Sequence, residues 1–196
     1  MRLDGVLDDM KQKGIKWVFI GAVDNALLNM VDPILLGLTS CDGNQIGSKS
    51  VVKRSPEEPV GVFCKRNGKP GVIEYTELPT EMAHEVDEEG ELLFGESHIM
   101  CNLYSIDALD KISKEKLPYH SAHKKAPYMN EKGEFVKVTK PNAYKYEAFI
   151  FDGFTYFDNI SILRGRRNED FAPVKNAEGP DSPTTAVELY NNYWNV

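Results

Sequence analysis

The run Trp17–Asn25 places an almost wholly apolar segment directly before a carboxylate and an amide. Such a run predicts a strand buried on both faces, as in a parallel sheet covered by helices. In open α/β sheets, ligands gather beyond the carboxyl ends of the strands. We therefore expect Asp24 to lie at a site for a metal ion or a sugar phosphate. A turn or a helix cap is the alternative, because Asp and Asn suit both.

Composition narrows the class of protein. The 196 residues suffice for one substantial core, and the net charge of −7 argues against broad nucleic-acid binding, which needs a basic face. The three cysteines, Cys41, Cys64 and Cys101, are far apart and odd in number, which predicts reduced thiols in the cytoplasm. No apolar run approaches the roughly 20 residues that cross a bilayer, so we expect no membrane partner.

Helical and strand patterns alternate along the chain. Helices are predicted at 3–10, 33–38, 106–115, 143–157 and 183–193, and strands at 15–23, 46–54, 60–65, 71–75, 98–105 and 159–163. Asp32, Ser105 (or Asp107) and Ser182 are the expected N-caps of three of these helices. The acidic stretch 81–91 predicts a solvated helix or loop, and 118–142 a long excursion with little helix. The order indicates an α/β fold with added antiparallel strands.

A hairpin carries two candidate binding residues. Asn67-Gly68 supplies the positive φ angles of a tight turn between the strands at 60–65 and 71–75. Glu74, at the end of the second strand, could accept hydrogen bonds from sugar hydroxyls, although an exposed strand-end carboxylate is commoner. Gly61 indicates either a close approach of backbone to ligand or a bulge.

Further candidates lie in the second half. Phe149 and Phe151 are two residues apart, so on the predicted helix they cannot share one face, and one of them is free to line a pocket. Lys175 could neutralise a phosphate, or be a solvated surface lysine. His120 and His123 lack a third ligand of suitable type, so we interpret them as part of a polar loop.

Several motifs in fixed order resemble one family. The chain is similar to the C-terminal half of eukaryotic-type UDP-sugar pyrophosphorylases, nearest to the branch that acts on N-acetylglucosamine. The motifs are Val23-Asp24-Asn25, Asp32-Pro33, Glu58-Pro59-Val60-Gly61-Val62, Val72-Ile73-Glu74-Tyr75-Thr76-Glu77, Lys124-Lys125-Ala126-Pro127-Tyr128, Lys140-Pro141-Asn142, Phe149-Ile150-Phe151-Asp152, Phe171-Ala172-Pro173-Val174-Lys175-Asn176 and Pro183-Thr184-Thr185-Ala186.

The resemblance implies a fold and a reaction. The fold is a Rossmann-like mixed sheet flanked by helices, of the nucleotide-diphospho-sugar transferase type, here with an added antiparallel hairpin. The reaction joins UTP and a sugar 1-phosphate into a UDP-sugar and pyrophosphate, with Mg²⁺ as cofactor. Residues 1–196 would form a single domain, the C-terminal half of the catalytic domain.

The resemblance also implies roles for individual residues. Asp24 would lie at the metal and the phosphates, and Lys175 would meet the phosphates. Phe149 and Phe151 would line the pocket around the N-acetyl group. The sugar contacts implied by the match are Gly61, Glu74 and Tyr75, with His98 where the family often has Asn.

One family motif does not occur in the 196 residues. A loop of the form Gly-Gly-x-Gly-Thr-Arg-Leu-Gly holds the UTP triphosphate in the family, and it is not present here. We therefore expect a fragment, truncated on the N-terminal side, that takes UTP only with the missing half. Such a fragment is expected to be inactive or weak alone and to self-associate through an exposed sheet edge. The alternative is a non-catalytic nucleotide-sugar-binding or structural module that complements a separate chain.

Overall fold

Helices and strands alternate through the part of the chain that the computed structural model describes, residues 1–195. The helices are α1 (Val6–Gln12), α2 (Pro33–Cys41), α3 (Thr80–Ala83), α4 (Ile106–Ile112), α5 (Arg167–Asp170) and α6 (Pro183–Trp194), with a 3-10 helix at Ile150–Tyr156. The strands are β1 (Trp17–Gly21), β2 (Ile46–Val52), β3 (Val62–Arg66), β4 (Lys69–Ile73), β5 (Glu96–Ser105), β6 (His120–Lys124), β7 (Tyr128–Met129), β8 (Phe135–Val136), β9 (Ala143–Glu147) and β10 (Ser161–Arg164).

A mixed six-stranded sheet is built around β5. Its order is β10-β2-β5-β3-β4, and β1 also pairs with β5. Only the β10–β2 pair among these is parallel. Since β5 is ten residues long, it accommodates β3 near its start and β1 along its end on the same side. This arrangement confirms the predicted mixed α/β fold.

The first strand differs from its prediction. It lies where expected, but β1 runs antiparallel to β5, pairing Trp17 with Ser105 and Gly21 with Cys101, and all five of its residues are only half-buried. An apolar run gives the position of a strand but contains nothing that fixes the direction of its neighbour. The expectation of a parallel strand covered on both faces was wrong.

Apolar residues cover both faces of the sheet. The larger cluster joins α1, α4 and the 3-10 helix to the sheet through Leu7, Tyr104, Leu109 and Phe154. A second cluster, which includes Ile99 of β5, packs on the segment after α5. None of the helices within residues 1–195 is both long and apolar enough to span a membrane.

Local signals were accurate at the caps and the hairpin. Asp32 accepts hydrogen bonds from the backbone N–H groups of Ile34 and Leu35 (2.8 and 3.2 Å), and Ser105 caps α4 through the N–H of Ala108 at 3.0 Å. The hairpin turn has Asn67 at φ 52° and the next residue, a glycine, at φ 77°. Each signal acts within four residues, so the sequence alone determines it.

The helix predicted at 143–157 is not formed. Residues 143–147 are β9, which pairs antiparallel with β6, and a 3-10 helix follows. The aromatic residues of this segment fit a helical spacing, but they also fit the alternation of a strand. Tyr144 and Tyr146 lie two apart on β9, and both are exposed. Pairing with β6 decides between the two patterns. The excursion at 118–142 contains no helix, as predicted.

Candidate functional site

Gly61 and Glu74 meet at the base of the β3–β4 hairpin. A Cβ built on Gly61 would lie 2.9 Å from Glu74 Oε1 and 3.0 Å from Val72 Cγ1, so only glycine leaves room for the carboxylate there. The carbonyl of Gly61 accepts the N–H of His98 at 2.8 Å, which joins this point to β5. The structure shows a close approach of the Glu74 side chain to the Gly61 backbone, which neither sequence interpretation named, and the approach of a ligand stays a prediction.

Glu74 lies in a strongly charged neighbourhood. Burial raises the pKa of its carboxyl group, the nearby positive charges of His120 and Lys175 oppose the rise, and Glu77 and Asp152 add to it. The charge of Lys175 thus acts on Glu74, although 101 positions separate the two residues in the sequence. A half-buried carboxyl group of this kind is suited to hydrogen-bond a hydroxyl of a ligand.

Phe149 and Phe151 form an aromatic wall. Their rings stack with centroids 4.8 Å apart and planes 11° from parallel. Phe151 is buried in the core and Phe149 is half-buried on its outer side. The sequence argument that the two rings cannot share a face was wrong, because Phe149 precedes the 3-10 helix in an extended conformation (φ −106°, ψ 134°).

His98 lies behind this wall, not at its face. The residue is 6% exposed, its Nε2–H donates to Asn102 Oδ1 at 3.0 Å, and its ring contacts Phe151 edge to face at 4.8 Å. Burial lowers the pKa of His98 to about 4, so the ring is neutral at physiological pH. The expected sugar contact is therefore corrected to a core contact that supports Phe151.

Tyr75 is not brought into contact with the aromatic wall. Its side chain is exposed and lines a separate small hollow of about 140 Å³ with Lys53 and His84. Glu74 and Tyr75 are neighbours in the chain but have different surroundings, because the side chain of Glu74 lies against Gly61.

Two residues after β1, Asp24 and Asn25, hold the segment 171–175 through hydrogen bonds. The buried side chain of Asn25 accepts the N–H of Ala172 and donates to the carbonyl of Asp170, both at 2.8 Å. The carbonyl of Asp24 accepts the N–H of Val174 at 2.8 Å. Asn25 therefore has the structural role that the alternative interpretation gave to the pair. Asp24 is half-buried, and its carboxylate makes no hydrogen bond to any residue from 1 to 195.

A buried ion triad holds the same segment from the other side. Lys49 on β2 is 4% exposed, and its Nζ lies 2.6 Å from Asp32 Oδ2 and 2.6 Å from Asp170 Oδ1. Burial alone would lower the pKa of Lys49, but the hydrogen bonds to the two carboxylates outweigh it and raise the value. Sequence reasoning missed this triad, since its members are 17 and 121 positions apart along the chain and no local pattern links them.

The candidate site lies apart from five hollows of the described surface. Asp24 lies beside the segment that carries Lys175, and none of Asp24, Glu74 and Lys175 lines any of these five hollows. One of these hollows, of about 620 Å³, lies between Lys49 and the aromatic end of α6. Within residues 1–195 no three His, Cys, Asp or Glu side chains are placed to hold a metal ion without a ligand's help.

Comparisons with known proteins agree with one another. The chain is 40% identical over 196 residues to "Probable UDP-N-acetylglucosamine pyrophosphorylase" of Dictyostelium discoideum, covering 96% of this chain and 40% of that protein. It is 36% identical to UDP-N-acetylglucosamine pyrophosphorylase of Saccharomyces cerevisiae, covering 93% of this chain and 40% of the yeast protein. The crystal structure of the Trypanosoma brucei UDP-N-acetylglucosamine pyrophosphorylase with an inhibitor superposes with a TM-score of 0.80 at 36% identity, covering 94% of this chain and 36% of that one.

The chain thus spans about two fifths of the length of the curated relatives that it matches. The sequence profile of the family described as UTP–glucose-1-phosphate uridylyltransferase matches residues 1–182. On that match, the chain belongs to the UTP–glucose-1-phosphate uridylyltransferase family, which confirms the resemblance drawn from its motifs.

Proposed function

We propose that this chain forms the sugar-phosphate side of a UTP:N-acetylglucosamine-1-phosphate uridylyltransferase. The chain's relatives are named as pyrophosphorylases of UDP-N-acetylglucosamine. The observation that carries the proposal is the stacked pair Phe149–Phe151 beside His120, whose charge acts on Glu74 together with that of Lys175. These groups supply a hydroxyl acceptor, a cation for phosphate and an apolar face for an acetyl group. The alternative is a non-catalytic module. Such a module would use the hydroxyl acceptor and the cation to bind a ligand, but it would not position a reacting atom.

In the proposed reaction, a phosphate oxygen of the sugar 1-phosphate attacks the α-phosphorus of UTP in line. The bond between the α-phosphorus and the oxygen that bridges it to the β-phosphorus breaks, and pyrophosphate leaves. The chemistry needs no covalent nucleophile, so this chain contributes by holding the attacking phosphate and neutralising its charge. Lys175 supplies the positive charge, and Glu74, in the space that Gly61 leaves, orients the hexose.

The donor set is compatible with Mg²⁺. That ion is usually held by one or two carboxylates together with substrate phosphates and water, and Asp24 offers one carboxylate with no other hydrogen-bond partner among residues 1–195. When bound, Mg²⁺ would neutralise phosphate charge. Asp24 is the residue that we propose would hold it.

We propose that the 196 residues bind a UDP-sugar but do not synthesise it alone. The family's triphosphate loop does not occur in this sequence. Turnover then requires UTP-binding residues from elsewhere, whether in a longer chain or in a partner chain.

Two measurements test this proposal. Calorimetric titration of the chain with UDP-N-acetylglucosamine and with UDP-glucose, each with and without Mg²⁺, measures binding, and release of pyrophosphate from UTP and N-acetylglucosamine 1-phosphate measures turnover. We expect binding without turnover, weakened in Phe149→Ala and retained in the control Tyr144→Ala, an exposed aromatic residue of the same region. Robust synthesis would contradict the inactivity, and equal binding by both variants would contradict the assignment of the aromatic wall.

A further inference from the structure

His120 connects three separate segments. It is the first residue of β6, its Nδ1 lies 2.9 Å from Glu77 Oε1, and its Nε2 lies 3.0 Å from Asp152 Oδ2. Glu77 belongs to the turn after β4, and Asp152 to the 3-10 helix. A neutral imidazole carries one N–H, so it can donate to one of these carboxylates, whereas the protonated ring donates to both.

The same ring packs against the aromatic wall. The centroid of His120 lies 5.1 Å from that of Phe149, with the planes tilted by 43°, and Phe149 in turn stacks on Phe151. The N–H of Asp152 donates to the carbonyl of Phe149 at 3.1 Å. The ring of Phe149 therefore contacts both Phe151 and His120. Asp152 connects the same residues, because its N–H binds the Phe149 backbone and its carboxylate binds His120.

We propose that His120 is the positioning residue of the aromatic wall: its protonated ring links Glu77 to Asp152 and so holds Phe149 stacked on Phe151. The geometric part of this proposal stands on the contacts above. Its consequence for ligands rests on the proposed function, in which the wall receives the N-acetyl group. Deprotonation removes one of the two hydrogen bonds and loosens Phe149 while leaving Phe151 in the core.

The electrostatics indicate the pH range in which the link exists. Burial alone would lower the pKa of His120, but the hydrogen bonds to Glu77 and Asp152 outweigh it, so the pKa is raised above its ordinary value of 6.5. Burial raises the pKa of Asp152 against the effect of His120. The other titratable or charged groups near the ring are Cys64, Arg66, Glu74, Glu147 and Lys175.

The sign of the pH effect follows from these directions. A group whose pKa is raised on folding contributes fully below its unfolded value, and the contribution is lost as the pH rises through the folded value. The link is therefore intact below the ordinary histidine value of 6.5, above the range in which Asp152 protonates, and is lost as the pH rises through the raised pKa of His120. The neighbouring His123 is exposed and stacks on Tyr144 at 4.6 Å, so it provides a matched control on the same strand.

Nuclear magnetic resonance of the full chain tests the geometric part. We expect the ring resonances of Phe149 to shift with the same midpoint as the imidazole of His120, above pH 6.5. The shift should persist in His123→Gln and vanish in His120→Gln. A midpoint for the Phe149 resonances that differs from that of the His120 imidazole in the wild-type chain would overturn the proposal. So would a shift that persists in His120→Gln or is lost in His123→Gln. The wild-type titration decides even where His120→Gln does not fold.

Binding of UDP-N-acetylglucosamine at several pH values tests the consequence for ligands. We expect the dissociation constant to rise by about tenfold between about pH 6 and about pH 9 in the wild-type chain, the size of one charge-assisted hydrogen bond, and to stay flat in His120→Gln. If the chain binds no UDP-N-acetylglucosamine at any pH, the proposed function fails, and the Phe149 resonances still decide whether His120 positions the wall. A pH dependence that survives in His120→Gln would contradict the role given to this residue.

Discussion

Replacing Lys49 by Met tests how far the fold depends on the buried ion triad. The ammonium group of Lys49 is the cation shared by Asp32 and Asp170, at 2.6 Å from each. Its side chain is 5% exposed, and those of the two carboxylates are 8% and 14% exposed. Met retains most of the stem of Lys49, so Lys49→Met removes the charge with little change in packing volume.

The expected cost is large because two buried anions lose their partner. Removing one member of a buried ion pair typically costs about 3–5 kcal/mol, since the remaining charge is desolvated and uncompensated. Lys145→Met is the matched control, because Lys145 lies at the same 2.6 Å from Glu147 Oε1, yet 61% and 40% of those side chains are exposed. A surface pair of this kind is worth about 1 kcal/mol or less.

Urea unfolding followed by circular dichroism measures the difference. A loss of about 4 kcal/mol with a urea dependence of about 2 kcal/mol per molar lowers the unfolding midpoint by about 2 M. The midpoint of Lys145→Met should move by less than about 0.5 M. Equal shifts in the two variants would refute the reasoning, because Lys49 is buried and shared by two carboxylates whereas Lys145 is exposed and pairs with one.

The pH dependence gives an independent check of the cause. In the wild-type chain, burial would raise the pKa of Asp32, but its hydrogen bonds with Lys49 and the α2 backbone lower it below the ordinary 3.8. That stability is present above pH 3.8 and is lost as the pH falls through the folded value. In Lys49→Met, burial is no longer opposed by a cation, so protonation of the carboxylates at mildly acidic pH relieves the charge. The gap between wild type and variant should therefore narrow on acidification, and a constant gap would contradict the mechanism.

Three further predictions concern the site and its edge. Gly61→Ala should place a methyl group 2.9 Å from Glu74 Oε1, leaving the fold intact by circular dichroism but weakening UDP-N-acetylglucosamine binding by about tenfold or more in calorimetry. Asn25→Ala removes three hydrogen bonds, two of them buried, so stability should fall by about 2–3 kcal/mol and the Ala172 amide should exchange faster with solvent. Since β1 pairs with β5 alone among the described strands, we expect concentration-dependent self-association, and light scattering that shows a strict monomer at high concentration would contradict it.

Local chemistry was predictable from the sequence. The cap at Asp32, the cap at Ser105 and the turn at Asn67-Gly68 each depend on groups within four residues, and each lies where its pattern indicated. The resemblance added what no local pattern contains, namely that Glu74 and Lys175 belong to one site. Electrostatic proximity of those two residues is consistent with that expectation.

Partner strands and long-range contacts were not predictable. The direction of β1 is decided by β5, and the strand at 143–147 is decided by β6, so neither could be found from its own apolar pattern. His120 was interpreted as part of a polar loop because its partners, Glu77 and Asp152, are 43 and 32 residues away. A single polar residue has no periodicity, and so its environment appears only once the chain is folded.

The position of Lys175 is a consequence of two anchors that share one residue. Asp170 binds Lys49 through its side chain and Asn25 through its backbone carbonyl. Both contacts fix the start of the segment that continues through Ala172 to Lys175, whose own N–H is held by the carbonyl of Asp181 at 2.7 Å. The residue proposed to meet phosphate is thus exposed at its tip but restrained at its backbone from both ends. Such restraint lets one flexible side chain present its charge at a defined point, which is what positioning a phosphate oxygen for in-line attack requires.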